Sequence, residues 1–329
     1  MLDGRSAREK GEKMKKSLSI VILVSLLSSC AILPKKNIQD IHFALNAKNY
    51  SFDLSQSIDN RINTTPDFLI DYLNKIDNVS SYSKYSPSQD DRYVLEKYYQ
   101  LLPTKYKELL SKKLIGVFFV NSFMGGGMTE IVYMDNIPFV IVILNPKILS
   151  ETLSEWMTYR DSSPYYKSDE IKMRSVCTSN DKAVLHTMLH EASHIYDFYN
   201  EISGGFVEKK VKRYTFSADV WKDAHHPIID YDFENRKKTK LYVAGEKLNM
   251  SEAIIAYQKL KGTPFVSIYG TQNIVEDFAE AFTWYYMKEK LNIDYKVEID
   301  HGNSEQIIFR PYANDLNVKR IEIMKTIIE

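Results

Sequence analysis

His190-Glu191-Ala192-Ser193-His194 constrains this chain more than any other stretch. On a helix, residues four apart are neighbours on one face, so both imidazoles can reach one ion with Glu191 beside them. The surrounding letters predict such a helix over 181–199. Ser179 or Asn180 can cap it, Leu185, Met188, Leu189, Ala192, Ile195 and Tyr196 form its apolar stripe, and Ser203-Gly204-Gly205 ends it. A catalytic zinc keeps three protein ligands and one open position. The pattern therefore asks for a third ligand elsewhere.

Residues 274–282 offer carboxylates on a later helix that begins at Asn273. Glu276 is the expected third ligand, although its place three residues after Asn273 also suits a capping box. Glu280, one turn on, would repel Glu276 unless something cationic lies between them. Its expected task is to accept a hydrogen bond from the far ring nitrogen of a ligating histidine. The expected cofactor is Zn2+, one per chain, bound by His190, His194 and Glu276. Glu191 would then take a proton from a water held there and pass it to a leaving amine. His186 is too far along the helix to share the ion with both other histidines, so it is expected in the core or beside the ligands. Adjacent His225 and His226 next to Pro227 read as a polar loop, with a ligand role as the lesser alternative. Asp197 is expected either to orient a group near the metal or to solvate the last turn.

The segment Ser267-Ile268-Tyr269-Gly270-Thr271-Gln272-Asn273-Ile274-Val275-Glu276-Asp277-Phe278-Ala279-Glu280-Ala281-Phe282, taken with His190 to Asp197, resembles the catalytic domain of anthrax lethal factor and the Pro-Pro endopeptidases. These are zinc metallopeptidases of the gluzincin kind. The shared features are the first Glu of a Glu-x-Phe-Ala-Glu run, a Tyr seven residues before it, and an Asp three residues after the second His. The resemblance covers those two pieces. It implies a zincin-like fold and a ligand role for Glu276, and it casts Tyr269 as donor to the oxyanion of a tetrahedral intermediate. The 82 positions from His194 to Glu276 exceed what those relatives lead one to expect, so no substrate preference carries over. A metzincin would need Gly and His where Asp197 and Asn200 stand, and an aspzincin would need Asp where Asn273 stands.

At the start of the chain, Met14-Lys15-Lys16, an apolar run over 18–27 and small residues at 28–29 have the layout of a secretory signal, for which Met14 can serve as the start. Leu27-Ser28-Ser29-Cys30 resembles the lipobox of bacterial lipoproteins, which implies cleavage before Cys30 and lipid on its thiol. Ala31 after the cysteine implies the outer membrane if the cell is Gram-negative. The expected location is the cell envelope, membrane-held through that lipid, with 30–50 as tether. Loss of residues 1–29 removes six basic and three acidic residues and leaves 37 basic against 40 acidic. That balance carries no nucleic-acid footprint. With Cys30 lipidated, Cys177 has no disulfide partner and reads as a small buried side chain.

Residues 51–113 read as a helical N-terminal subdomain: helices over 66–76 (Thr65 cap), 90–102 (Ser88 cap) and 105–113 (Thr104 cap), packed through Phe68, Leu69, Tyr72, Leu95, Tyr98 and Leu109. Residues 114–329 form the expected zinc metallopeptidase domain. Apolar runs at 114–120, 130–134 and 138–144 predict three strands of a small, mostly antiparallel sheet, with Gly125-Gly126-Gly127 as a mobile hairpin tip. Residues 150–179 read as polar and irregular, and 251–261 as a helix. The strand at 138–144, or its neighbour, is expected at the sheet edge, where it would pair with an extended substrate. The expected fold is α+β, zincin-like, with a helical C-terminal subdomain. The expected activity is hydrolysis of peptide bonds in a protein or peptide outside the cytoplasm. The alternative is an envelope lipoprotein that uses the same fold and zinc for binding or structure, and intact Glu191 and Tyr269 favour the enzyme.

Overall fold

The computed structural model describes residues 42–206, 214, 216–242, 246–302 and 306–329. The expected signal, Cys30 and the first part of the expected tether lie outside the described residues. Within them, no helix is long and apolar enough to cross a membrane.

The architecture is α+β. One sheet holds β1 (Ile62–Asn63), β2 (Ser83–Lys84), β3 (Leu114–Asn121), β4 (Gly127–Met134) and β5 (Ile137–Leu144), in the order β1-β3-β5-β4 with β2 added on β3. β3 runs parallel to β1 and β5, whereas β4 is antiparallel to β5 and β2 to β3. The sheet is therefore mixed, not mostly antiparallel. The reason lies in burial on both faces: Val117, Phe119, Val140 and Val142 enter one core, and Phe118, Val120, Ile141 and Ile143 enter the other. Interior strands of this kind read as unbroken apolar runs, which say nothing about direction.

β5 is interior and β4 is the edge, so the edge role falls to the neighbour of 138–144. Because β5 separates β3 from β4, residues 122–126 cross the end of β5, where the Gly126 carbonyl accepts from Asn145 N at 2.9 Å. The glycine run is thus no hairpin tip. The hairpin turn is Asp135-Asn136, with φ of 51° and 66°, the two-residue geometry that matches strand twist. At the far end of β4, Tyr133 N donates to Leu45 O at 2.9 Å, and Asn46 bridges Tyr133 in parallel. Backbone groups alternate sides along an antiparallel strand, so Ile131, Thr129 and Gly127 face the same outer border as Tyr133.

Nine helices lie wholly within the described residues, in chain order α1 (Asp67–Ile76), α2 (Gln89–Tyr99), α3 (Thr104–Lys113), α4 (Leu153–Ser162), α5 (Val184–Asn200), α6 (Glu234–Lys238), α7 (Met250–Leu260), α8 (Ile274–Leu291) and α9 (Val318–Ile328). α1 covers one sheet face with Leu69, Tyr72 and Leu73. α2, α3, α5 and α8 fill the other through Leu95, Tyr106, Leu189, Ile195, Phe278 and Phe282. The residues expected to knit the N-terminal helices together are thereby divided, with Phe68, Leu69 and Tyr72 on one side and Leu95, Tyr98 and Leu109 on the other. Ser88 forms a capping box with Asp91. Thr65 does not cap α1, because its hydroxyl donates to Phe119 O at 2.7 Å.

The segment expected to be irregular contains α4, opened by a Thr152/Glu155 capping box, and a strand, β6 (Lys172–Cys177). With β7 (Tyr295–Asp300) and β8 (Ile307–Phe309), β6 forms an antiparallel sheet, so the C-terminal part is not purely helical. Cys177 is buried and free, and burial pushes its thiol up to about 12, which makes it unreactive. α5 and α8 pack directly on one another. Phe278 and Phe282 are fully buried there, worth about 2 kcal/mol each by apolar transfer.

Candidate metal centre

α5 places His190 and His194 one turn apart, and its last turn closes with Glu201 in the left-handed region at φ 52°. α8 starts where Asn273 Oδ1 accepts from Val275 N and Glu276 N at 3.0 and 2.9 Å. Since Asn273 caps the helix without help, the Glu276 carboxylate is free to reach across to α5. His190 Nε2 lies 3.0 Å from Glu276 Oε2 and 3.0 Å from His194 Nε2, and His194 Nε2 lies 3.4 Å from the same carboxylate oxygen. His190, His194 and Glu276 offer ligand atoms within 4.8 Å of one another and could hold a metal ion.

The donor set fits a small divalent cation. Ligands 2.0–2.1 Å from a tetrahedral centre stand about 3.3 Å apart, close to the spacings above. Two imidazole nitrogens facing each other at 3.0 Å need a cation or a proton between them. Burial opposes charge on His190, but the Glu276 and Glu280 carboxylates outweigh it and hold the imidazole up to about 10. Burial would raise Glu276, yet His194 and His190 hold it down to about 2. The pocket is organised around positive charge.

No family model, curated protein or solved structure matches this chain.

Glu191 is 5% exposed, and its Oε2 accepts from Thr129 Oγ1 at 2.7 Å. Burial raises its pKa, partly offset by His190, His194 and Thr129. A Cβ on Gly127 would stand 2.9 Å from Glu191 Oε1 and 2.8 Å from Thr187 Cγ2, so the glycine lets the edge strand approach the motif helix. Tyr269, in a short 3-10 turn (Tyr269–Thr271), sets its ring 5.6 Å from that of His190. Burial first, then Glu276, raises its pKa well above 10, so the hydroxyl keeps its proton and can donate.

Glu280 is fully buried, with Oε1 3.1 Å from His190 Nδ1. That nitrogen has no regularly aligned hydrogen bond, and the carboxylate is the acceptor it faces. His186 Nε2 lies 3.3 Å from the same oxygen, its ring packs 4.8 Å from Trp284, and burial lowers its pKa to about 4. It is a neutral neighbour of the site. Asp197, expected near the ligands or in solvent, is fully buried and accepts from Ser203 N at 2.7 Å and from the Ser203 hydroxyl. Its carboxylate pins the loop after α5, one turn beyond His194. His225 and His226 lie in an exposed loop, where His226 Nδ1 pairs with Asp223 at 2.8 Å.

Sequence reasoning missed Arg160, Thr129 and Gly127. Arg160 Nη1 donates to both oxygens of Glu280 at 3.0 Å and is the cation that lets Glu280 stand behind the site. Its signal was present: Thr152-x-x-Glu155 announces the helix that carries it.

Proposed function

We propose that this protein is a zinc-dependent endopeptidase of gluzincin type, with a zincin-like arrangement of edge strand, motif helix and glutamate helix. The observation that carries the reading is the convergence of His190, His194 and Glu276 with Glu191 and Tyr269 beside them. Zinc held by those three ligands would lower the pKa of a water toward neutrality and polarise the scissile carbonyl. Glu191, buried yet beside the histidines, would accept the proton from that water and deliver it to the leaving amine. Tyr269, kept neutral by burial, would donate to the oxyanion that develops on the substrate carbonyl. Glu280 would hold the His190 ring by accepting from Nδ1, which commits Nε2 to the ligand role. The outward groups of Gly127, Thr129 and Ile131 on β4 would pair with an extended peptide main chain. The N-terminal lipobox supports action at the cell envelope, on a protein or peptide outside the cytoplasm, with the chain membrane-held through Cys30.

The test has two arms. Metal analysis of purified protein is expected to give one zinc per chain, lost in His190→Ala and Glu276→Ala. A diverse peptide library is then expected to be cleaved by wild type and spared by Glu191→Ala. Zinc without cleavage would replace the enzyme with the zinc-binding lipoprotein, and absence of zinc would remove both.

A further inference from the structure

The Arg160 guanidinium on α4 is 2% exposed. Nη1 holds both oxygens of Glu280 at 3.0 Å, and Nε donates to Asp161 Oδ1 at 2.9 Å. Asp161 Oδ2 accepts from Ser175 Oγ on β6 at 2.6 Å and from the Tyr295 hydroxyl on β7. Glu280 Oε2 accepts from Ser267 Oγ at 2.7 Å and Trp284 Nε1 at 3.3 Å. With Oε2 filled and the carboxylate held by the guanidinium, Oε1 is turned to the two imidazoles, His190 Nδ1 at 3.1 Å and His186 Nε2 at 3.3 Å. A buried ion pair of this kind is not needed for stability, since well-packed apolar residues often serve as well or better. What an apolar residue could not do is hold both carboxylate oxygens at once, as Nη1 does while Nε is anchored on Asp161.

We propose that Arg160 is a positioning residue for the metal centre: through Glu280 it fixes the His190 ring so that Nε2 faces the cation. Through Asp161 it ties that ring to the β6–β7 sheet. The proposal rests on the metal-site reading of His190, His194 and Glu276.

Two readouts independent of peptide cleavage test it: zinc affinity by competition with a chromogenic chelator, and the visible absorption of Co2+-loaded protein. The full chain is compared as wild type, Arg160→Lys, Arg160→Met, Glu280→Gln and the double variant Arg160→Met/Glu280→Gln. Arg160→Met is expected to weaken zinc binding roughly 10- to 100-fold and to alter the Co2+ bands, as loss of a ligand's supporting partner does. Arg160→Lys should recover part of both. In the Glu280→Gln background the Met substitution should add no more than about twofold, because its route to the metal is already cut. Wild-type affinity and bands in Arg160→Met, or an effect that adds in full to Glu280→Gln, would overturn the proposal. If Arg160→Met does not fold, Arg160→Lys decides: unaltered affinity and spectrum overturn it. Wild type without zinc affinity would instead overturn the metal-site reading, and this proposal with it.

Discussion

The Thr129 hydroxyl donates to Glu191 Oε2 at 2.7 Å, which joins the edge strand to the carboxylate proposed to move the proton. Removing that donor leaves a buried carboxylate oxygen short of a partner, a loss of about 1.5–3 kcal/mol for a bond to a charged group. Thr129→Val is expected to lower kcat about tenfold or more with KM little changed, and Thr129→Ser to retain most of the rate. Steady-state kinetics on any peptide cleaved by wild type checks this; equal rates for Val and Thr would remove Thr129 from the account.

Neighbouring glycines should respond differently to the same methyl group. At Gly127 a Cβ meets Thr187 Cγ2 at 2.8 Å and Glu191 Oε1 at 2.9 Å, whereas at Gly125 the nearest atom is 3.6 Å away. Gly127→Ala is expected to cost about 1–3 kcal/mol of stability through overpacking. Gly125→Ala should be nearly silent. Denaturant midpoints of the two variants, measured side by side, separate the outcomes.

Metal removal should loosen the contact between α5 and α8, since the proposed ligands come from both helices. A ligand present at a hundred times its Kd stabilises the folded state by about 2.7 kcal/mol. Chelation is therefore expected to lower the melting temperature, zinc to restore it, and His190→Ala to abolish the response. A melting curve indifferent to chelator and zinc would count against the site.

Glu130 gives a pH dependence away from the metal centre. It is buried on β4, accepts from the Tyr72 hydroxyl at 2.7 Å, and burial raises its pKa from 4.5 to about 7. Between those values the folded protein holds a proton that the unfolded chain has released, so this group's contribution falls as pH rises, by on the order of 3 kcal/mol in all. Below pH 4.5 both states are protonated and the effect vanishes. Glu130→Gln, which can still accept from Tyr72, is expected to raise stability at pH 8 and leave it little changed at pH 4. Urea unfolding at the two pH values reads this directly, and an equal shift at both would contradict it.

The motif helix was legible because its apolar residues recur with helical period, and the strands because their runs are unbroken. Pairing direction was not legible, since a strand buried on both faces has no alternation to read. α4 was hidden for a different reason. Its buried face carries Arg160 and Asp161 beside Leu153, Trp156 and Met157, and charges that neutralise one another inside the fold look like surface letters in a sequence. Glu276 could be read as cap or ligand until Asn273 was seen to satisfy both amides, which leaves the glutamate side chain for the histidines.

Leu45 and Asn46 occupy the border of β4 at Tyr133, so the bare stretch of that strand is short. A long exposed border invites another copy to add on and begin a ribbon of stacked chains. Here the polypeptide stitches part of its own hem at Tyr133, which shortens the run of β4 on which a second copy could build.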